Sequence, residues 1–454
     1  MRQISLHDTL SGARKPLSPS EAGRVGIYAC GPTVYGRIHV GNARPFVVFS
    51  LLKRFLEHEG YDVTLVVNIT DVNDKIYDAA RPAGVPSAQL AREMTDHYRA
   101  DTDRLELGRP DHEPLASETM GPIVTLIAEL IELGHAYVAD GDVYFAVRSD
   151  PRYGRLSHRD PDEMDQGEGV EGSERKRDPL DFALWKAHKE EEDTAWDAPW
   201  GRGRPGWHIE CSAMAEQLLG VGFEVHGGGA DLIFPHHENE AAQTRAARGA
   251  ELAAIWMHNG MVQLAEEKMA KSTGNIRLLH VALDEYGRDA LVMYICGGHY
   301  RQPLAFSPRQ LEEAASRASR VRETGRRLAP GASPPDLAAL RERFFEALAA
   351  DFNTAEALAA MFEWVREANR RVEGGQAVGD ADLREMLGVM ALGTLLEAAA
   401  DDQPDPRVRD LVERRERARR DRDFPAADRL RAQVEALGWE IRDRAGGPEL
   451  VRRS

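Results

Sequence analysis

From Arg24 to Cys30 the chain runs through Val-Gly-Ile-Tyr-Ala, a short apolar stretch halted by Gly31-Pro32, and this pattern predicts a strand that stops at a turn. Between Asn42 and Glu59 the apolar positions Phe46, Val48, Phe49, Leu51, Leu52, Phe55 and Leu56 keep helical spacing with a wide face. Gly60 supplies the residue expected just past the end of that helix. Val63 to Ile69 is then rich in β-branched residues and predicts a buried strand. A strand, helix and strand of these lengths make a parallel crossover, so a Rossmann-like α/β fold around a parallel sheet is expected.

After Gly108-Arg-Pro110 the pattern changes. A helix is predicted over about Gly121 to Leu133, followed by two alternating runs within Ala136 to Val147 that flank Asp140-Gly141, a hairpin signal. Glu163 to Lys176 is acidic and weakly apolar and reads as a mobile loop. Strand-like and glycine-rich pieces resume at Phe223 to His226 and Gly227 to Ala230, so the middle reads as an α+β domain inserted between two halves of one sheet domain. Beyond Ser307 the pattern is almost purely helical. Phe344, Phe345 and Leu348, then Leu358, Met361, Phe362 and Val365, then Leu383, Met386, Leu387 and Met390 mark three amphipathic helices. Leu328 to Pro335 reads as a break between helices, and Asp401 to Pro406 as a linker to a small terminal module. The expected organisation is a first half of the sheet domain over 1–110, an insert over 111–205, a second half over 206–307, a helical bundle over 308–400 and the module over 401–454.

Composition narrows the class. A chain of 454 residues with 42% hydrophobic and 29% charged residues is that of an ordinary globular protein, not a disulfide scaffold or a disordered segment. The longest apolar runs, Phe46 to Leu52 and Val63 to Val67, are too short to span a bilayer, and Met1 to Ser5 shows no apolar signal region, so a cytoplasmic protein without a membrane role is expected. Cys30, Cys211 and Cys296 are odd in number and far apart, which suits free thiols or metal ligands. A net charge of −17 disfavours polyanions on average, yet Arg414 to Arg422 reverses that sign locally. That segment reads either as a phosphate-contacting face or as a solvated helix laced with ion pairs to Asp410, Glu413, Glu416 and Asp421.

Three further features carry candidate chemistry. His236 and Glu240 are four apart in Pro235-His-His-Glu-Asn-Glu240, hence on one face of a predicted helix, and with Cys30 and Cys211 they would offer two thiolates, an imidazole and a carboxylate, a donor set appropriate to zinc. By spacing alone the same residues also read as helix-terminal histidines and small buried cysteines. His39-Val-Gly-Asn42 precedes the first long helix, where free N–H groups favour phosphate and Gly41 permits close approach of a ligand; a plain helix start is the alternative. Lys268-Met-Ala-Lys271-Ser272 sets two lysines three apart beside Thr-Gly, suited to a triphosphate or to a solvated turn.

Taken in order, Cys30-Gly-Pro-Thr33, His39-Val-Gly-Asn42, Asn68-Ile-Thr-Asp71, Gly206-Trp-His-Ile-Glu-Cys211, Phe234-Pro-His-His-Glu-Asn-Glu240 and Lys268 to Ser272 make the chain closely resemble the bacterial cysteinyl-tRNA synthetases, class I aminoacyl-tRNA synthetases, over essentially its whole length. The resemblance implies that Cys30, Cys211, His236 and Glu240 hold one zinc per chain, which distinguishes cysteine from serine by ligand softness. It implies activation of L-cysteine by ATP with Mg2+, transfer to the terminal adenosine of tRNA(Cys), and a monomer. His39, Val40, Gly41 and Asn42 match the family's HIGH signature, and Lys268 to Ser272 its KMSKS loop. His39, Lys268 and Lys271 are thereby implied as catalytic and, with Gly41, Asn42 and Ser272, as ATP-binding; Thr33, Trp207 and Asp231 are implied to line the amino-acid pocket. Asn42 stands where the signature has its last histidine and Ala270 where the loop has its first serine, departures expected to alter rates without abolishing activity. A related ligase joining cysteine to an amino-sugar inositol resembles the same core but lacks the tRNA-reading module, whereas here a long helical region leads into the arginine-rich segment. A non-catalytic zinc- and RNA-binding paralogue would be expected to lose His39 or the loop lysines, all of which are present.

Overall fold

The computed structural model describes residues 2–164, 173–264, 277–397, 406–444 and 447–452. Four parallel strands form the sheet that positions the candidate site, in the spatial order Ala253–Asn259, Phe223–Gly229, Arg24–Ala29, Asp62–Val67. Arg24 lies opposite Asp62 and Ala29 opposite Val67, the parallel pairing expected from the two apolar runs. Helix Val40–His58 makes the crossover between them and buries Phe46, Val48, Phe49, Leu51, Leu52, Phe55 and Leu56, the periodic set read from the sequence. Strand order reverses beside Arg24–Ala29: one neighbour follows it directly and the other returns only at Phe223. Ligands of open α/β sheets lie in the crevice at the carboxyl ends of strands where such a reversal occurs, and Cys30 follows the end of that strand.

The insert is an α+β unit. Helix Met120–Glu132 packs on an antiparallel sheet of Ala136–Ala139, Asp142–Phe145, Phe182–Ala187 and Gly203–Pro205, with Ile123, Ile127, Phe145 and Trp185 fully buried between. Asp140 and Gly141 both have positive φ, 51° and 86°, which gives the first hairpin its two-residue turn. Residues 165–172 of the loop expected over Glu163 to Lys176 lie outside the described residues.

Beyond Ser307 come helices Pro308–Gly325, Ala338–Ala349, Thr354–Glu373 and Ala381–Val389. Phe344, Leu348, Leu358, Met361, Val365, Leu383 and Met386 are buried, as their spacing predicts. The chain divides into two compact units, residues 1–392 and 393–454. The second holds helices Pro406–Arg420 and Phe424–Ala436 and an antiparallel hairpin of Trp439–Arg444 and Gly447–Arg452 around Val408, Val412, Val434, Trp439 and Ile441. The hairpin departs from the almost purely helical pattern read beyond Ser307; among its described positions Trp439 and Ile441 bury, too short an alternation within a charged run to stand out. Most of the expected linker, 401–405, lies outside the described residues. In the arginine-rich helix Arg414 pairs with Asp410 at 3.4 Å and Arg415 with Glu416 at 2.7 Å, so the ion-pair lacing is present. Among the described residues no helix is long and apolar enough to cross a membrane.

Candidate active site

The thiol of Cys30 emerges where the central strand ends, its backbone N–H donating to the Gly227 carbonyl at 2.9 Å. Helix Trp207–Leu219 brings Cys211 from one side in its first turns. His236 closes a tight turn over Ile233–His237, and helix Glu238–Arg248 begins after it, two residues later than the histidine pair suggested. His236 and Glu240 nevertheless share one face, with Nε2 and Oε1 3.0 Å apart. From Cys30 Sγ the distances are 3.8 Å to Cys211 Sγ, 3.6 Å to His236 Nε2 and 3.7 Å to Glu240 Oε1, and all four residues are buried. A tetrahedral zinc with ordinary bond lengths requires donor separations of about 3.4 to 3.8 Å. The three separations from Cys30 therefore fit the ion, and the His236–Glu240 edge is drawn shorter by its hydrogen bond.

Electrostatics in the cluster follow from burial and mutual charge. Burial, the hydrogen bond to Cys211 and the Glu240 carboxylate push the Cys30 thiol well above its ordinary range. That same hydrogen bond, with the His236 cation, outweighs burial and brings Cys211 down to about 6. Burial opposes charge on His236, but Glu240 and Cys211 prevail and raise it to about 10. Glu240 is held well below the carboxylate range, against burial, by His226 and His236.

A layer of histidines lies behind these donors. His208 and His236 meet Nδ1 to Nδ1 at 2.8 Å, and Trp207 stacks on the His236 ring with centroids 4.2 Å apart. Glu240 turns its second oxygen to His226 Nε2 at 2.8 Å. His237 Nε2 lies 3.3 Å from Cys30 Sγ, and its Nδ1 continues through His258 to Thr9 at 2.7 Å per step. Burial first, then His226, depresses His258 to about 3. Cys30, His226, His237 and Glu240 thus form a second group able to surround an ion, sharing two members with the first. Glu210 is also fully buried with both carboxylate oxygens unpartnered, and burial, Cys211 and Asp71 raise it far above the carboxylate range.

Sequence reasoning missed His208, His226, His258 and Glu210. A signal existed for one of them: His226 falls in Phe223–Gly229, a strand buried at every position, and a histidine in such a run needs a partner.

His39 caps helix Val40–His58. Its Nδ1 accepts from the Asn42 N–H, and Asn42 Oδ1 accepts from the His39 N–H, each at 3.3 Å, a reciprocal capping box. This network assigns the proton of the neutral imidazole to Nε2. Gly41 is required for the arrangement, because a Cβ there would lie 2.9 Å from the His39 ring. The close approach permitted by this glycine is thus that of the protein's own imidazole. Asn42→Ala is expected to cost about 1 kcal/mol in denaturant unfolding, while Asn42→Asp keeps most of the cap.

Thr33 pairs with Thr70 just past the ends of strands Arg24–Ala29 and Asp62–Val67, and Asp231 is exposed just past the end of Phe223–Gly229. Lys268, Lys271 and Ser272 lie outside the described residues. Cys296 is 2% exposed in helix Leu279–Cys296, away from both ion-holding groups, as expected of a core thiol, and burial pushes it up to about 12.

Comparison with known proteins agrees with this architecture. The family model of the class I (C) tRNA synthetase catalytic domain matches residues 16–316, and that of the DALR domain residues 343–395. The cysteine–tRNA ligase of Halorhodospira halophila is 45% identical over 464 residues, covering 99% of both chains. That of Caldicellulosiruptor saccharolyticus is 41% identical, covering 99% of this chain and 100% of its own. Among solved structures, Mycobacterium tuberculosis methionyl-tRNA synthetase in complex with methionyl-adenylate superposes with a TM-score of 0.59 at 16% identity, over 82% of this chain and 89% of that one. An Agrobacterium radiobacter LeuRS in a ternary complex with tRNA and LeuAMS gives 0.60 at 13%, over 84% of each chain. At these identities the likeness to solved structures is one of fold.

Proposed function

We infer the chemistry from one premise: the chain belongs to the cysteine–tRNA ligase family and is an ATP-dependent ligase that joins cysteine to tRNA. In the proposed sequence the carboxylate of L-cysteine attacks the α-phosphate of ATP, giving cysteinyl-adenylate and pyrophosphate. A terminal ribose hydroxyl of tRNA(Cys) then attacks the activated carbonyl, and AMP leaves. Cys30, Cys211, His236 and Glu240 are the proposed zinc ligands. The ion would supply a soft Lewis acid for the substrate thiolate, a partner that the hydroxyl of serine matches poorly.

His39, Gly41 and Asn42, at a helix N-terminus that favours phosphate, and Lys268, Lys271 and Ser272 are proposed to bind ATP, which carries Mg2+. His39, Lys268 and Lys271 are the proposed catalytic groups; their task is to stabilise charge on the phosphates and hold the attack in line. Thr33, Trp207 and Asp231 are proposed to line the amino-acid pocket; Trp207 fits by its stack on His236, which sets an aromatic face beside the ligand cluster. The enzyme is proposed to act as a monomer in the cytoplasm.

The observation that carries the metal reading is the set of donor separations, 3.6 to 3.8 Å from Cys30 to its three neighbours. Transfer of labelled cysteine to tRNA, with a serine control and a zinc-stripped sample, tests the whole. Charging with cysteine only, lost on stripping, is expected. Activation of cysteine without charging of tRNA would favour the amino-sugar ligase instead.

Proton linkage gives a separate check. At pH 7 Cys30 and His236 carry protons, while Cys211, brought to about 6, and Glu240 do not. Zinc uptake by the stripped protein is therefore expected to release about two protons per ion, read with an indicator dye in weak buffer. Affinity should climb with pH by about 100-fold per unit between the Cys211 and His236 values, because two protons compete with each ion. Uptake without proton release would remove Cys30 and His236 from the ligand set.

A further inference from the structure

Helix Val40–His58 buries one charge within its apolar packing. Arg44 is 1% exposed, and among the described residues no carboxylate comes within ion-pair distance of its guanidinium. Tyr294 and Cys296, whose anions would offset the charge, are kept protonated at neutral pH by burial. An apolar side chain of similar length would spare the protein the cost of burying a charge, so stability alone does not account for this arginine. Its contacts point elsewhere. One Nη donates to the Gly260 carbonyl at 2.6 Å and approaches the Met261 carbonyl at 3.4 Å, and the other donates to the His299 carbonyl at 3.1 Å. The planar fork of arginine suits this service to two backbone segments at once.

Those two segments lead into a small parallel ribbon. Gly260 joins strand Ala253–Asn259 to strand Val262–Leu264, and His299 lies between helix Leu279–Cys296 and the ribbon's second strand, Leu304–Phe306. The approach at Gly260 is close: its N–H donates to the Tyr300 carbonyl at 2.8 Å, and a Cβ there would lie 2.3 Å from the Gln302 carbonyl oxygen. The connection then reaches the first turn of the helix that His39 caps, with the Val262 Cβ 3.7 Å from the position a Cβ of Gly41 would take. Met261, 42% exposed, sets its sulfur 4.0 Å from the Cβ position of Gly229, where strand Phe223–Gly229 ends. Residues 260–262 therefore lie between the helix start and the carboxyl end of the sheet, where open α/β sheets bind ligands. Arg44 fastens them to that helix. We propose that Arg44 is a positioning residue for adenylate formation: it holds Gly260 to Val262 at a fixed distance from His39, so that both sides of the proposed ATP site meet the nucleotide in one geometry. The proposal rests on the binding of ATP at His39, and Arg44, being buried, touches neither substrate.

The test measures the two half-reactions separately on the full-length, zinc-loaded protein, well below the lowest melting temperature. Arg44→Lys keeps the charge but not the fork, and Arg44→Met removes both. Misplacement by about 1 Å at a reacting centre costs about 100-fold, so kcat for cysteine-dependent ATP–pyrophosphate exchange should fall about 100-fold in Arg44→Met and about ten-fold in Arg44→Lys. The KM for cysteine should stay within about two-fold, as should single-turnover transfer from enzyme-bound cysteinyl-adenylate to tRNA, a step that uses no ATP. If Arg44→Met fails to fold, Arg44→Lys decides alone. Equal losses in exchange and transfer would overturn the positioning role, because general damage to the fold slows both steps. His39→Asn, which keeps a capping side chain, tests the premise. Exchange at the parent rate in that variant would overturn ATP binding at His39. Slow exchange there, with parent rates in the Arg44 variants, would overturn the positioning role alone.

Discussion

Cys211→Ser is expected to empty the metal site and to lower cysteine-dependent ATP–pyrophosphate exchange by about 10³-fold or more, since even partners behind the ligands of such sites are worth 10–100-fold. The substitution keeps the shape of a side chain that is only 1% exposed, so the fold should survive. What it removes is the thiolate that the cluster already favours at neutral pH, with Cys211 brought to about 6 by the Cys30 hydrogen bond and the His236 cation. A hydroxyl in its place neither ionises near pH 7 nor matches the softness of the ion. Metal content by elemental analysis checks the first effect and exchange kinetics the second. The experiment also separates the two groups of donors that share Cys30 and Glu240. Retention of one equivalent of zinc in Cys211→Ser would transfer the site to His226 and His237. Loss of zinc, with His237→Gln keeping most of it, would hold the site at Cys211 and His236.

The features legible in the sequence were those whose signal is local. Two short apolar runs with a helix between them gave the parallel pair, Asp140-Gly141 gave the hairpin, and helical periodicity gave the bundle. His236 and Glu240 could be placed on one face because a spacing of four survives whether the helix starts at His236 or two residues later. Hairpin Ser5–Asp8 with Ala13–Pro16 left no such trace, for its second strand is largely exposed. Its stability comes from Asp8, which pairs with Lys15 at 2.6 Å and accepts from the Trp256 N–H at 2.9 Å, a contact across most of the sheet domain's length of chain. The histidine layer was hidden for a related reason. His208, His226 and His258 arrive from a helix and two strands, and the parallel sheet sets His226 and His258 on adjacent strands two register positions apart. Arg44 shows the same limit. Its charge sits 1% exposed in an apolar helix because the Gly260 and His299 carbonyls receive it at 2.6 and 3.1 Å, and neither is near it in sequence.

Gly31→Ala should destabilise the protein by about 3 kcal/mol or more and release the metal with it. A Cβ at Gly31 would lie 1.8 Å from the Asn68 carbonyl oxygen, a backbone atom that cannot swing aside like a flexible side chain. The Asn68 side chain, 1% exposed, meanwhile accepts from the Gly31 N–H at 2.9 Å, so it fixes the same two strand ends that the new methyl would force apart. Cys30 is the adjacent residue, tied on its other flank to Gly227. Separation of the strands therefore moves one thiol away from a cluster whose donors must stay within a few tenths of an ångström of tetrahedral spacing. Gly36→Ala serves as the control, since no atom lies within 4 Å of its Cβ position and it should change neither property. Thermal unfolding with and without zinc separates the two consequences. If Gly31→Ala lowers the melting temperature equally in both conditions, the sheet alone suffers. A larger fall in the presence of zinc is the expected result, because the parent gains stability from an ion that the variant no longer holds.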